Sequence, residues 1–254
     1  LFRSYLQEIA APDGYVLGED PVPFTVDGTA GCTWANPLTV ELPNHAQKGT
    51  IAVSKTDAKT GGAVPACTYE VRAAEDIVTN DGTVRAVAGD LVARIETGED
   101  GVARTGELYL GSYEVAEARQ ADGFLLDAER HAATLSYAGQ AVSVTTAALD
   151  VTDAPVRVEV RKTRSGSGAP VEGATFAWWN AADERENDAA APDGAEAPTR
   201  PIDRVDEDRI RYGTTGADGV LAVSYLAPGT YGFMETEAPA GYVADGAVQY
   251  VTVD

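Results

Sequence analysis

Basic charge is what this 254-residue chain has least of. Nineteen Lys and Arg stand against forty Asp and Glu, a formal net charge of −21. A surface that acidic repels phosphate backbones and anionic headgroups, which excludes nucleic acid and anionic membrane surfaces as partners. No stretch approaches the 18 or more apolar residues of a membrane span, so no membrane insertion is expected of this segment. The chain opens on Leu1 with no basic start leading into an apolar run. It therefore reads as a fragment, in which a missing export signal carries no meaning. Two cysteines, Cys32 and Cys67, are too few for a disulfide framework or a zinc site, and whether they pair stays open. Two distant histidines, His45 and His131, add no metal-ligand spacing, so neither a metal nor a cofactor is expected.

Long amphipathic helices are missing as well. What is there instead is a succession of short alternating runs punctuated by turn residues, 44% hydrophobic, which predicts an all-β chain with real cores. The chain also repeats itself. Glu8-Ile-Ala-Ala-Pro-Asp-Gly-Tyr15 recurs as Glu117-Ala-Arg-Gln-Ala-Asp-Gly-Phe124 and as Glu235-Thr-Glu-Ala-Pro-Ala-Gly-Tyr242. Leu108-Tyr-Leu-Gly-Ser-Tyr113 recurs as Tyr225-Leu-Ala-Pro-Gly-Thr-Tyr231, each after an acidic glycine turn, Glu99-Asp-Gly101 and Ala217-Asp-Gly219. Ile51-Ala-Val-Ser-Lys55 is echoed by Val158-Glu-Val-Arg-Lys162. Lys55 and Lys162 are 107 residues apart, one ordinary domain length. The spacing predicts the C-terminal half of one repeat over 1–48, a complete repeat over 49–154, and over 155–254 a repeat without its last strand. An acidic insertion over 180–207 reads as a mobile surface loop.

Strand parity identifies unusual polar residues. Ile51, Val53 and Lys55 share a face, as do Val158, Val160 and Lys162. Tyr113, Val115 and Glu117 are in phase, and so are Tyr231, Phe233 and Glu235. The strand that ends each repeat carries a third inward polar group, Asn44 after Leu38, Val40 and Leu42, and Asp153 after Leu149 and Val151. Glu8 precedes Asn44 by 36 residues, and Glu117 precedes Asp153 by the same interval. The chain has only four lysines against fifteen arginines, yet both opening strands end on an inward lysine. Arginine serves a solvated face equally well, whereas only an amine can give up its proton and become a nucleophile when buried. On residue types alone, the triad is equally a buried ion-pair network.

The combined motif set, an inward Lys, Tyr-x-x-x-Glu leading into Ala-Pro-x-Gly-Tyr, and a closing Asn or Asp, resembles the B-type repeats of Gram-positive collagen adhesins and related pilin domains. The resemblance implies tandem transthyretin-like (prealbumin-like) β-sandwiches in which Lys and Asn or Asp join through an isopeptide bond, with the Glu as proton shuttle. By position it implies Lys55 joined to Asp153 with Glu117 assisting, Glu8 and Asn44 serving a bond whose Lys precedes Leu1, and Lys162 and Glu235 serving one whose partner follows Asp254. Gln120-Ala121 replaces the family's Ala-Pro in the middle repeat. The same resemblance implies a non-enzymatic stalk segment of a wall-attached extracellular protein, partnered by neighbouring repeats, or else an adhesin module for a host extracellular matrix protein or carbohydrate. The acidic glycine turns lack the ligand spacing of calcium loops. Trp178 and Trp179, being adjacent, are expected to place one ring in the core and one outside.

Overall fold

The computed structural model describes residues 2–26, 33, 37–185 and 200–254, so Cys32 lies outside the described residues. The fold is almost all β: strands account for 48% of the described residues and helix for 4%. The chain divides into two compact units, Leu1–Ala121 with Leu126–Asp153, and Asp122–Leu125 with Ala154–Asp254.

In the first unit, alternation in the opening strand Lys48–Asp57 buries Ile51, Val53 and Lys55. That strand pairs antiparallel with Val102–Arg104 and Leu108–Tyr109, and parallel with the closing strand Val144–Asp153. A second sheet runs in the order Arg130–Leu135, Gly111–Arg119, Thr68–Ala73, Leu91–Glu96. Tyr69, Val71, Tyr113, Val115 and Glu117 are buried on its inner face. Its outer face is charged and solvated, with Glu70 between Arg72 and Arg94 and Glu114 against Arg130. The preceding segment adds the pairs Phe2–Leu6 with Val22–Val26 and Tyr15–Val16 with His45–Ala46.

The recurrent phrases have structural roles. Gly101 has φ +72° and Gly219 φ +70°, and a Cβ at either position would lie 2.6 Å from the carbonyl oxygen of Lys55 or of Lys162. Only glycine fits that approach. The Gly101 carbonyl accepts the Lys55 N–H at 2.8 Å, and the Gly219 carbonyl accepts the Lys162 N–H at 2.8 Å. Asp100 and Asp218 hold these turns by accepting the N–H two residues on, both at 3.0 Å. The acidic glycine turn is thus a clamp on the lysine backbone. The tyrosine ending the second phrase anchors the glutamate strand. Its hydroxyl donates to the carbonyl four residues back, Tyr113 to Tyr109 at 2.5 Å and Tyr231 to Ala227 at 3.0 Å.

The second unit repeats the layout with two differences. Its opening strand Arg157–Arg161 pairs with Val220–Ser224, and among the described residues no strand occupies its other edge, the place held by Val144–Asp153 in the first unit. A groove of about 300 Å³ lies there, with Lys162, Phe176, Phe233, Glu235 and Val251 in its wall. The other difference corrects the expectation for the tryptophans, since neither ring is left outside. Trp178 stacks on Phe233 in the inner core, centroids 6.4 Å apart. Trp179 is buried on the outer face under Ile202, Val205 and Ile210, with Ala177 and Met234. The insertion read as a mobile surface loop therefore ends in a structural cover. Its short 3₁₀ turns Pro201–Arg204 and Glu207–Arg209 present those apolar side chains to the sheet. Gly232 makes room for the ring, because a Cβ there would meet Trp179 at 2.7 Å.

Trp179→Ala is expected to destabilise the second unit by about 3–5 kcal/mol, as for other large aromatic truncations in cores. Hydrogen exchange measured by mass spectrometry should show lost protection in Thr175–Asn180 and Gly229–Glu237, with Thr68–Ala73 unchanged; unaltered protection in the former would show that the cover contributes nothing.

Candidate functional site: a buried lysine between two carboxyls

The structure brings Lys55, Glu117 and Asp153 into one buried chamber. The glycine-turn clamp fixes the Lys55 backbone, and parity sends its side chain inward, 1% exposed. Parallel pairing sets Val151 opposite Lys55 and so places Asp153 one step further along the same inward row. Lys55 Nζ donates to Asp153 Oδ1. Glu117 reaches across from the facing sheet, its Oε2 3.6 Å from Nζ. The Tyr69 ring closes the chamber, its centroid 5.6 Å from Nζ.

Two further groups shape the site. The Asp127 backbone N–H donates to Glu117 Oε2 at 2.7 Å. Cys67, fully buried and unpaired among the described residues, places Sγ within 4.8 Å of the Glu117 and Asp153 oxygens. Burial pushes its thiol pKa up to about 11. Burial likewise raises the carboxyl pKa of Asp153 and of Glu117, against the lowering effect of the nearby lysine and, for Glu117, of the Asp127 N–H. Glu117 Oε1 and Asp153 Oδ2 are buried without a hydrogen-bond partner. A buried carboxylate with an unpartnered oxygen is unfavourable, and the neutral acid loses less on leaving water. The raised pKa values and the two orphaned oxygens both favour a neutral state for the acids. Cys67, Glu117 and Asp153 form a trio of metal-donor types, but the lysine nitrogen sits against both acids, where a cation would have to be.

The other candidate residues form partial versions. Lys162 Nζ donates to Glu235 Oε2 at 2.7 Å, and Glu235 is buried while Lys162 is partly exposed. No acid equivalent to Asp153 stands beside them among the described residues. Asn44 Nδ2 donates to Glu8 Oε1 at 2.9 Å, a pair with no lysine beside it among the described residues. The sequence assigns Cys67 no role at this site and leaves Asp127 unmarked. A signal for the latter existed, because each glutamate accepts a backbone N–H from ten residues on: Gly18 to Glu8 at 3.3 Å, Asp127 to Glu117 at 2.7 Å, Asp245 to Glu235 at 2.8 Å. A main-chain donor leaves no mark in residue type, only in spacing.

Residues 49–148 and 156–254 each match the family model of the SpaA prealbumin-like fold domain. Among solved structures, the Bacillus anthracis TIE protein aligns over 100% of the chain at 21% identity and a TM-score of 0.54, and the chain spans 39% of that protein's length. A streptococcal ancillary pilin aligns over 99% of the chain and 71% of its own length at 18% identity and a TM-score of 0.37. The shaft pilin SpaA of Lactobacillus rhamnosus GG aligns over 82% of the chain and 94% of its own length, at 14% identity and 0.34. No curated protein matches the chain.

The raised carboxyl pKa values fix a sign for pH dependence. A buried acid with a raised pKa keeps a proton in the folded chain that the unfolded chain has released, so stability falls as pH climbs from the ordinary carboxyl range, about 4, towards the raised values. Lys55→Met removes the nucleophile and leaves both acids buried. Its urea midpoint should fall between pH 5 and pH 7 more steeply than that of Lys55→Met/Glu117→Gln/Asp153→Asn, in which neither acid titrates. Charge repulsion elsewhere is common to both variants, so equal slopes would contradict the neutral-acid description.

Proposed function

This chain belongs to the SpaA prealbumin-like fold domain family, and from that membership together with its buried lysine we propose that it is a pilin-like stalk segment of a Gram-positive cell-surface protein, locked by an isopeptide bond between Lys55 and Asp153. The observation that carries the reading is the contact of a fully buried Lys55 Nζ with Asp153 Oδ1, with Glu117 3.6 Å away.

With a proton passed from the ammonium to the acids, the Lys55 amine attacks Asp153 Cγ. The new bond is Nζ–Cγ, the broken one is Cγ–O, and the leaving group is water. Protonated Glu117 hydrogen-bonds the carbonyl as charge develops on it and relays the amine proton to the departing hydroxyl. The Asp127 N–H and the Tyr69 ring hold the acid and the amine within reach, which gives the step its effective concentration. This is a single-turnover maturation of the chain itself, not turnover of a substrate. The division into a partial repeat over 1–48, a complete one over 49–154 and a further one over 155–254 belongs to this reading. Neighbouring repeats of the same extracellular, wall-attached protein are its partners. Among the described residues no feature favours recognition of a host matrix protein over this role.

The bond joins residues 98 apart in sequence. Treated as a loop-closing crosslink of roughly 100 residues, it contributes about 4.7 kcal/mol of stability. Its mechanical effect is larger in kind, since load entering at the opening strand crosses to the closing strand without stretching what lies between. Single-molecule stretching should show no extension from the first unit between Lys55 and Asp153, while Asp153→Ala should add a step on the order of 300 Å at about 3.3–3.6 Å per residue. A step of that size in the unsubstituted chain would refute the stalk mechanism.

A further inference from the structure

The turn that carries the Asp127 N–H also gathers a second group of side chains. We propose that Asp127, Glu129 and His131 form a site for a divalent transition metal ion of the zinc type. One carboxylate oxygen from each acid and one His131 ring nitrogen all lie within 4.8 Å of one another. Some point is therefore within about 2.8 Å of all three, and a small rotation of the exposed Glu129 brings it to the roughly 2.0–2.2 Å of zinc bonds to imidazole nitrogen and carboxylate oxygen.

Two of the ligands are already aimed. The Glu129 N–H fixes Asp127 Oδ1 at 2.8 Å, and Oδ2 is hydrogen-bonded to His131 Nε2, also at 2.8 Å, a contact whose proton a bound ion would replace. His131 is held on the edge strand Arg130–Leu135 opposite Val115, and the side chains of both Asp127 and His131 are more than four-fifths buried. An imidazole beside two carboxylates suits zinc, nickel or copper rather than calcium or magnesium, which take all-oxygen shells. The strongly negative chain adds a field that concentrates cations.

The second unit shows that the turn does not need these side chains for its own folding. Its equivalent positions are Asp245, Ala247 and Gln249, with Gln249 opposite Phe233 as His131 is opposite Val115. Even so, the Asp245 N–H reaches Glu235 at 2.8 Å and the Ala247 N–H reaches Asp245 Oδ1 at 3.1 Å, the same two bonds as in the first unit. The backbone architecture is complete with alanine and glutamine, so Glu129 and His131 are additions of donor groups to a turn that already stands.

Titration of the full chain with Zn²⁺ by calorimetry, in a buffer that does not chelate metals, should show one site with a Kd on the order of 10 μM. His131→Gln and Glu129→Ala install the second unit's residues. The first should weaken binding at least about tenfold and the second by a smaller factor. Cys67→Ala should leave affinity unchanged, and millimolar Ca²⁺ should not compete. Absence of binding up to 1 mM Zn²⁺ would overturn the proposal. So would equal affinity in His131→Gln, which keeps the acidic surface intact and would signify diffuse cation attraction, or a loss that follows Cys67→Ala instead. None of these readings depends on the Lys55–Asp153 bond.

Discussion

Taking one amine and two carboxyls out of water together is the constraint on which the first unit is organised. A lone buried charge is strongly unfavourable, and a buried pair recovers that only with near-ideal geometry. Lys55, Glu117 and Asp153 meet this by lying together: burial moves both acids towards their neutral forms, with the lysine nitrogen against them. Much of the surrounding structure is what such a chamber requires. The Gly101 turn pins the lysine backbone, the parallel closing strand delivers Asp153 to the same row, and the Asp127 N–H and the Tyr113 hydroxyl fix the glutamate strand's end and start.

The two units show the same scaffold under different demands. The clamp, the tyrosine anchor and the ten-residue N–H contact recur nearly unchanged, while the layers around them diverge. Where Glu70 and Arg72 leave the first unit's outer face to water, the second places Ala177 and Trp179 there and covers them with the insertion. Where the first unit closes its opening strand with Val144–Asp153, the second has a groove alongside Lys162, and Lys162 is correspondingly less buried than Lys55. Enclosure, more than the identity of the lysine or glutamate, separates the two sites physically.

The parts legible in the sequence are those governed by period-two alternation and repetition. An inward lysine is visible because Ile51, Val53 and Lys55 are in phase, and the partnership of Glu117 with Asp153 is visible because the interval of 36 residues recurs from Glu8 to Asn44. The all-β class follows from the same alternation, whereas the sandwich is what the family resemblance implies. What stayed hidden depends on main chain or on distant packing. The Asp127 donor is a backbone group. One of the two adjacent tryptophans is expected outside because the cover over Trp179, made by Ile202, Val205 and Ile210, is scattered through a stretch whose acidic composition reads as loop. His131 looked isolated because its partners lie on a turn whose path alternation alone does not fix.

The central claim is that Lys55 and Asp153 become one covalent unit, and peptide mass spectrometry tests it most directly. The intact chain should weigh one water less than its sequence, with no loss of ammonia, since Asp153 is an acid and the Asn44 pair has no lysine beside it among the described residues. Digestion should yield a branched peptide joining the Lys55 and Asp153 segments, absent from Glu117→Ala. A folded chain of full sequence mass, with both segments recovered as separate linear peptides, would contradict the account.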